Sequence, residues 1–173
     1  EDMTNTTQIT DIAIIGAGPV GLFGVFAAGM LGLSSSVFDS LPDIGGQCTA
    51  LYPDKPIYDI PAYPKITGAD LIGALEAQAA PFSPIYHLGA AVIDITENPD
   101  KTWSLTNAKG IMVTARSILI ACGAGAFGPN RPPINGIEQY ENKSVFYAVR
   151  SPEKFTGKRI AIAGGGDSAV DWA

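Results

Sequence analysis

The sequence predicts an α/β fold in three layers, with an antiparallel β-meander and the start of a second unit of similar kind. Three observations carry that expectation. A short β-branched run, Ile9 to Ile15, leads straight into the glycine turn Gly16-Ala17-Gly18-Pro19-Val20-Gly21. Between Ile85 and Val113 the apolar residues alternate, as they do in half-buried strands. Near the far end, Arg159 to Ala163 and then Gly164-Gly165-Gly166-Asp167-Ser168-Ala169 repeat the opening strand and turn.

Each element follows from local chemistry. Ile9 to Ile15 is too short for a helical period and rich in β-branched residues, so it reads as a buried strand. The Ala/Leu/Gly-rich stretch after Pro19 reads as a helix to about Leu31, and Ser35 to Phe38 as a second strand ending at Asp39. Together they form a βαβ unit of about 30 residues, the context in which a G-x-G-x-x-G is informative. Leu41 to Lys65 holds Pro42, Pro53, Pro56, Pro61 and Pro64 and reads as a long functional loop. Thr67 begins the next helix as its N-cap, with Asp70 as a short-armed capping-box partner, and the helix runs to about Ala80, before Pro81. Ala91 to Thr96, Thr102 to Thr106 and Ile111 to Thr114 alternate across turns at Asn98-Pro99-Asp100 and Lys109-Gly110, which predicts a meander. Ser117 to Ala121 reads as one more buried strand, and Pro129 to Pro133 as a linker.

Composition narrows the function. An apolar fraction of 46% is ordinary for a chain with a core, and 16% charge argues against disorder throughout. A net charge of −6 disfavours a general nucleic-acid binder. The apolar stretch Val20 to Leu33 is shorter than a membrane span and interrupted by glycines, so no membrane association is expected. Glu1 to Thr10 is polar without a basic leader, and with sparse cysteine this points to a cytoplasmic protein. Cys48, Cys122 and the single His87 do not make a tetrahedral zinc set, and His87 has no nucleophile-elbow motif to serve.

The first glycine turn has a physical task. Gly16 permits a tight strand-to-helix turn, Gly18 lets a pyrophosphate approach the backbone, and Gly21 lets the helix pack on the strand. The helix N-terminus then offers free N–H groups and a partial positive charge. Asp39 lies roughly twenty residues on, where a carboxylate can accept hydrogen bonds from ribose hydroxyls. The second turn, Gly164 and Gly166 with Ala169 in the third place, matches a nicotinamide dinucleotide site. Two such turns in one chain suggest a flavin and a nicotinamide brought face to face, with the cofactors carrying the redox chemistry. No side-chain acid or base and no metal ligand is expected to act.

Thr114, six residues, then Ala121-Cys122-Gly123 resembles the T-x6-A-T-G signature of two-dinucleotide flavoprotein reductases, with Cys122 replacing threonine. A disulfide reductase would pair Cys48 with a cysteine where Pro53 stands, or carry C-x-x-C within Phe146 to Phe155, and neither pair is present. Gly46-Gln47-Cys48 followed by Leu51-Tyr52-Pro53-Asp54-Lys55-Pro56-Ile57-Tyr58-Asp59 is similar to the long flavin loop of the thioredoxin-reductase-like ferredoxin–NADP reductases. That resemblance runs from Asp11 to Ala173. It implies a Rossmann-like FAD-binding domain over 1–128 and the start of a Rossmann-like NAD(P)-binding domain over 129–173. In the family both domains continue further, so this stretch by itself is expected not to turn over.

The resemblance further implies FAD contacts by Asp39, Gln47, Tyr52, Val92 and Phe127, with NADPH as electron donor, ferredoxin or flavodoxin as acceptor, and a homodimer at full length. Residue chemistry agrees: Tyr52 offers a flat ring and a hydroxyl, and Gln47 both donates and accepts. Lys143, Arg150, Lys154, Lys158 and Arg159 form a basic cluster that could steer an acidic partner or simply be a solvated face. Another FAD/NAD(P) reductase, a monooxygenase on the same scaffold and a non-catalytic FAD-binding redox module stay open at this point.

Overall fold

A computed structural model describes residues 8–125, 131–147, 149, 152–166 and 169–170. Along the chain run β1 (Gln8–Ile15), α1 (Pro19–Met30), β2 (Ser35–Phe38), α2 (Gln47–Ala50), β3 (Pro56–Ile57), β4 (Ile66–Thr67) and α3 (Gly68–Ala79). Then follow β5 (Ile85–His87), β6 (Val92–Glu97), β7 (Trp103–Asn107) and β8 (Met112–Ile120). The chain divides into two compact units, Glu1–Phe127 and Gly128–Ala173.

The first unit is organised around β1. Its sheet has the order β5-β2-β1-β8-β7-β6. β1 pairs in parallel with β2 and β8, and β2 in parallel with β5. Successive side chains of these strands point to opposite faces. Ile14 and Val37 therefore join Ala17, Val25 and Ala79 against the helices. Ala13 and Phe38 point the other way and pack with Leu105, Val113 and Ala115 of the meander. The result is helices, parallel sheet and meander in three layers, as the sequence predicts.

The helix boundaries have local causes. α1 begins with Pro19, whose missing N–H costs nothing in a first turn, and its end is closed by Gly32 at φ +73°. Thr67 caps α3: its hydroxyl oxygen accepts from Asp70 N–H at 3.1 Å and its O–H donates to the Asp70 carboxylate at 2.7 Å. Asp70 is too short to reach back to the Thr67 amide, so it holds the capping hydroxyl instead. Pro81 falls in a single 3-10 turn, Ala80–Phe82, after α3 has ended.

Three expectations about the first unit are corrected. Ile85–His87 does not join the meander; it adds to the parallel edge beside β2. The predicted strands Ile111–Thr114 and Ser117–Ala121 are one strand, β8, which serves both parts of the sheet. Its ladder to β7 covers Met112 to Ala115, whereas its ladder to β1 continues to Ile120. Beyond Ala115 it has left the cover of the meander, so Leu119 and Ile120 are exposed at 36% and 68% rather than buried. The proline-rich segment is also less irregular than expected: it contains α2 and β3, and β3 pairs antiparallel with β4, which follows directly after Lys65.

Among its described residues the second unit has 3-10 turns at Ile137–Tyr140 and Pro152–Phe155. Arg131 grips Glu141 through two nitrogens, at 2.6 and 3.1 Å, and Tyr147 donates to the same carboxylate at 3.1 Å. Arg159 to Ala163, expected as a strand, has no strand hydrogen bonding. A strand exists only through a ladder partner, and none is found among the described residues; Ile160 and Ile162 are accordingly exposed.

Candidate functional site

The carboxyl ends of β1, β2 and β8 converge at one edge of the sheet. From β1 the chain winds outward through β2 to β5 on one side, while β8 enters on the other. In open α/β sheets such a switch point forms the ligand crevice. Here it opens into a cavity of about 760 Å³, within the range of small-molecule sites. Gly16, Gly18, Asp39, Gln47 and Val92 all line it, together with Phe38, Ser40, Gly46, Ile93, Cys122 and Gly123.

The three glycines of the first turn do different things. Gly16 has φ +112°, and a Cβ there would run into the Ala121 carbonyl at the end of β8. Gly21 has no room either, because a Cβ would collide with the Gly16 carbonyl. These two are required by the fold. Gly18 is not: a Cβ would meet nothing nearer than the Gly46 Cα at 3.9 Å. The space beside Gly18 is kept open toward the cavity, where the absence of a side chain serves a ligand and not the packing.

Gly18 is also the N-cap of α1, and no side chain caps that end. The helical ladder starts with Leu22 N–H donating to Gly18 C=O at 3.0 Å, so the amides of Val20 and Gly21 lie outside it. Those amides and the helix dipole favour an anion at the cavity wall. Asp39 stands opposite. Its carboxylate accepts from Ala17 N–H at 2.7 Å and from Leu41 N–H at 2.9 Å. It thus clamps the glycine turn as well as facing the cavity, a role the spacing did not show. Each carboxylate oxygen keeps a second lone pair for a ribose hydroxyl.

β6 forms the far wall. Its pairing with β7 shifts register between Val92 and Asp94, so Ile93 is an extra residue in the ladder. A bulge leaves backbone groups unpaired, here on an edge strand beside the cavity. The bulge places Ile93, which periodicity could not reveal, next to Val92 on the cavity wall.

Tyr52 lies apart from that wall. It lines a second cavity, of about 530 Å³, with Lys55, Ile57 and Tyr58. Gln47 and Cys48 line both, so the two spaces adjoin. Lys55 Nζ sits 5.2 Å above the centre of the Tyr52 ring. Cys48 is half-buried rather than sealed in the core, and burial pushes its thiol pKa up, which makes it a poor nucleophile. His87 stacks on Phe38 at 4.7 Å, and its Nε2 is buried without a hydrogen-bond partner. Among the described residues no cluster of metal-binding side chains occurs, and no helix is long and apolar enough to cross a membrane.

The second glycine turn lies in the other unit. Gly164 has φ +155°, Ala169 N–H donates to Gly166 C=O at 2.9 Å, and the glycines are exposed. Phe127 lies outside the described residues.

A bare-glycine turn at a switch point, with an uncapped helix end and a carboxylate opposite, gives the first unit a Rossmann-like α/β fold. The family model for pyridine nucleotide-disulphide oxidoreductases matches residues 86–173, and the chain belongs to that family. It is 58% identical over 164 residues to a ferredoxin–NADP reductase of Rickettsia bellii (strain OSU 85-389), covering 95% of this chain and 49% of that protein. It is also 58% identical, over 167 residues, to a ferredoxin–NADP reductase of Anaplasma phagocytophilum (strain HZ), covering 96% of this chain and 49% of that one. The chain spans about half the length of these curated relatives. Thioredoxin reductase from Streptococcus pyogenes MGAS5005 shares the fold, with a TM-score of 0.60 at 21% identity over 78% of this chain and 41% of that one.

Proposed function

We propose that the protein is a flavoprotein oxidoreductase that moves electrons from NADPH through FAD to ferredoxin or flavodoxin. The observation that carries the reading is the cavity beside Gly18, whose open space the fold does not itself need. The relatives named ferredoxin–NADP reductase support the particular reaction. When bound, FAD supplies the exchange between a two-electron hydride donor and a one-electron acceptor.

The chain's own residues bind and orient. The amides at the start of α1 hold the pyrophosphate, Asp39 the adenosine ribose, and the backbone at Val92 the adenine edge. Gln47 sits where the two cavities meet and orients the middle of the molecule. Tyr52 offers its ring to the reacting end. In the second unit Gly164, Gly166 and Ala169 form the turn that receives NADPH. Pro53 stands where a C-x4-C partner of Cys48 would be, and burial raises the Cys48 thiol pKa, so the reading assigns no disulfide step to Cys48. Division of labour at residues 128 and 129, flavin before and nicotinamide after, belongs to the same reading.

Anaerobic titration of the intact protein with NADPH tests it. Bound flavin should lose its visible absorption band on addition of NADPH, and ferredoxin should restore it. A protein that retains no FAD, or whose band NADPH leaves untouched, refutes the reading.

A further inference from the structure

We propose that Lys55 sets the charge around the reacting ring of the flavin and favours its reduced, anionic state. This rests on the FAD reading above. The first cavity already contains what an adenosine diphosphate needs: bare glycine, helix amides and the Asp39 carboxylate. The remaining, redox-active end must extend elsewhere, and the second cavity adjoins the first through Gln47 and Cys48. Its wall is the Tyr52 ring, with Lys55 Nζ 5.2 Å above the ring centre.

Lys55 is exposed, and the attraction of a cation to the ring quadrupole holds its ammonium over Tyr52 at the cavity wall. Lysine is a compact point charge, suited to acting on a neighbouring charge at short range. Reduction creates such a charge. A hydride, two electrons and one proton, leaves NADPH and bonds to the oxidised ring; NADPH becomes NADP+, and the ring gains one negative charge. A nearby cation stabilises the product more than the reactant, and charge near the ring is one of the means by which a protein tunes this cofactor. Asp59 lines the same cavity and carries the opposite charge. The pair predicts two opposed effects from one site.

The test is an anaerobic redox titration of the FAD-loaded intact protein against a reference dye, for wild type, Lys55→Met, Lys55→Arg and Asp59→Asn. Lys55→Met should move the balance about tenfold toward oxidised flavin, about 30 mV lower for a two-electron couple. Lys55→Arg keeps the charge and should stay near wild type. Asp59→Asn should move the balance the other way, and it carries the test if Lys55→Met does not fold. Unchanged potentials in FAD-loaded Lys55→Met and Asp59→Asn overturn the proposal, even if FAD affinity falls, since lost packing alone would do that. Failure of wild type to bind FAD overturns the functional reading instead, and this inference with it.

Discussion

Replacing Gly18 by alanine separates ligand binding from folding, and its neighbours Gly16 and Gly21 supply the contrast. At Gly18 the backbone is at φ −74° and ψ −173°, a conformation any residue adopts. The nearest atom to an added methyl would be the Gly46 Cα at 3.9 Å, an ordinary van der Waals contact. Alanine is a poorer N-cap than glycine, which costs up to about 1 kcal/mol. It also reduces the freedom of the unfolded chain, which contributes about 0.4–1 kcal/mol in the other direction. The net change in stability should therefore be within about 1 kcal/mol of zero.

Gly16→Ala differs on both counts. It places a side chain at φ +112°, where strain costs about 1–3 kcal/mol, and drives the methyl into the Ala121 carbonyl. Binding should follow the reverse order of interest. A methyl at Gly18 occupies the approach of the pyrophosphate to the α1 amides. Loss of one hydrogen bond to a charged group is worth about 1.5–3 kcal/mol, or roughly 10–100-fold in affinity. Urea unfolding of the FAD-free protein measures the first quantity, and fluorescence titration with FAD the second. Wild-type affinity in a folded Gly18→Ala protein would refute the argument. So would a loss of stability matching that of Gly16→Ala.

Four further outcomes follow from the geometry. Asp39→Ala removes the acceptor for two part-buried amides and should cost about 2–3 kcal/mol in urea unfolding besides weakening FAD; Asp39→Asn, which keeps one acceptor oxygen, should cost less. Burial lowers the His87 pKa below its ordinary 6.5, so the unfolded chain takes up the proton first: stability is full above pH 6.5 and should fall as pH drops below it, a limb that His87→Phe should flatten in thermal melts. The Ser34 hydroxyl and amide, aided by Arg116, lower the Asp11 pKa below 3.8; its contribution is present above pH 3.8 and is lost as pH falls through the lower folded value, so Asp11→Asn should reduce that acid limb. Lys143, Lys154, Lys158 and Arg159 are exposed, and reduction of an acidic ferredoxin should slow as salt rises if they steer it; a flat salt profile removes that role.

What could be read in advance divides along physical lines. β1, α1 and β2 were legible because short range sets them: a β-branched run, a glycine turn and a proline at the helix start each act within a few residues. Gly16 and Gly21 were legible for the same reason. β8 was not, since its two halves differ only in what packs on them: alternation marks the half under the meander, and a continuous apolar run marks the half that is exposed. The bulge at Ile93 is invisible because it is a property of two strands. Arg159–Ala163 has the composition of β1 without its ladder.

The site shows the same division more sharply. The order of the glycines in the turn already assigns them different tasks: Gly16 the turn, Gly18 the ligand approach, Gly21 the helix packing. The surrounding atoms add the physical reason, since a Cβ at Gly16 or Gly21 would strike backbone whereas one at Gly18 would meet nothing nearer than 3.9 Å. Asp39 carries the complementary lesson. The sequence placed it opposite a ribose, yet its carboxylate also ties Ala17 and Leu41, so the group that would read the ligand also fixes the turn that receives it. Binding and turn geometry are then coupled at one side chain. A substitution there should lower affinity by more than its direct contact explains, and the excess should appear as lost stability in the FAD-free protein.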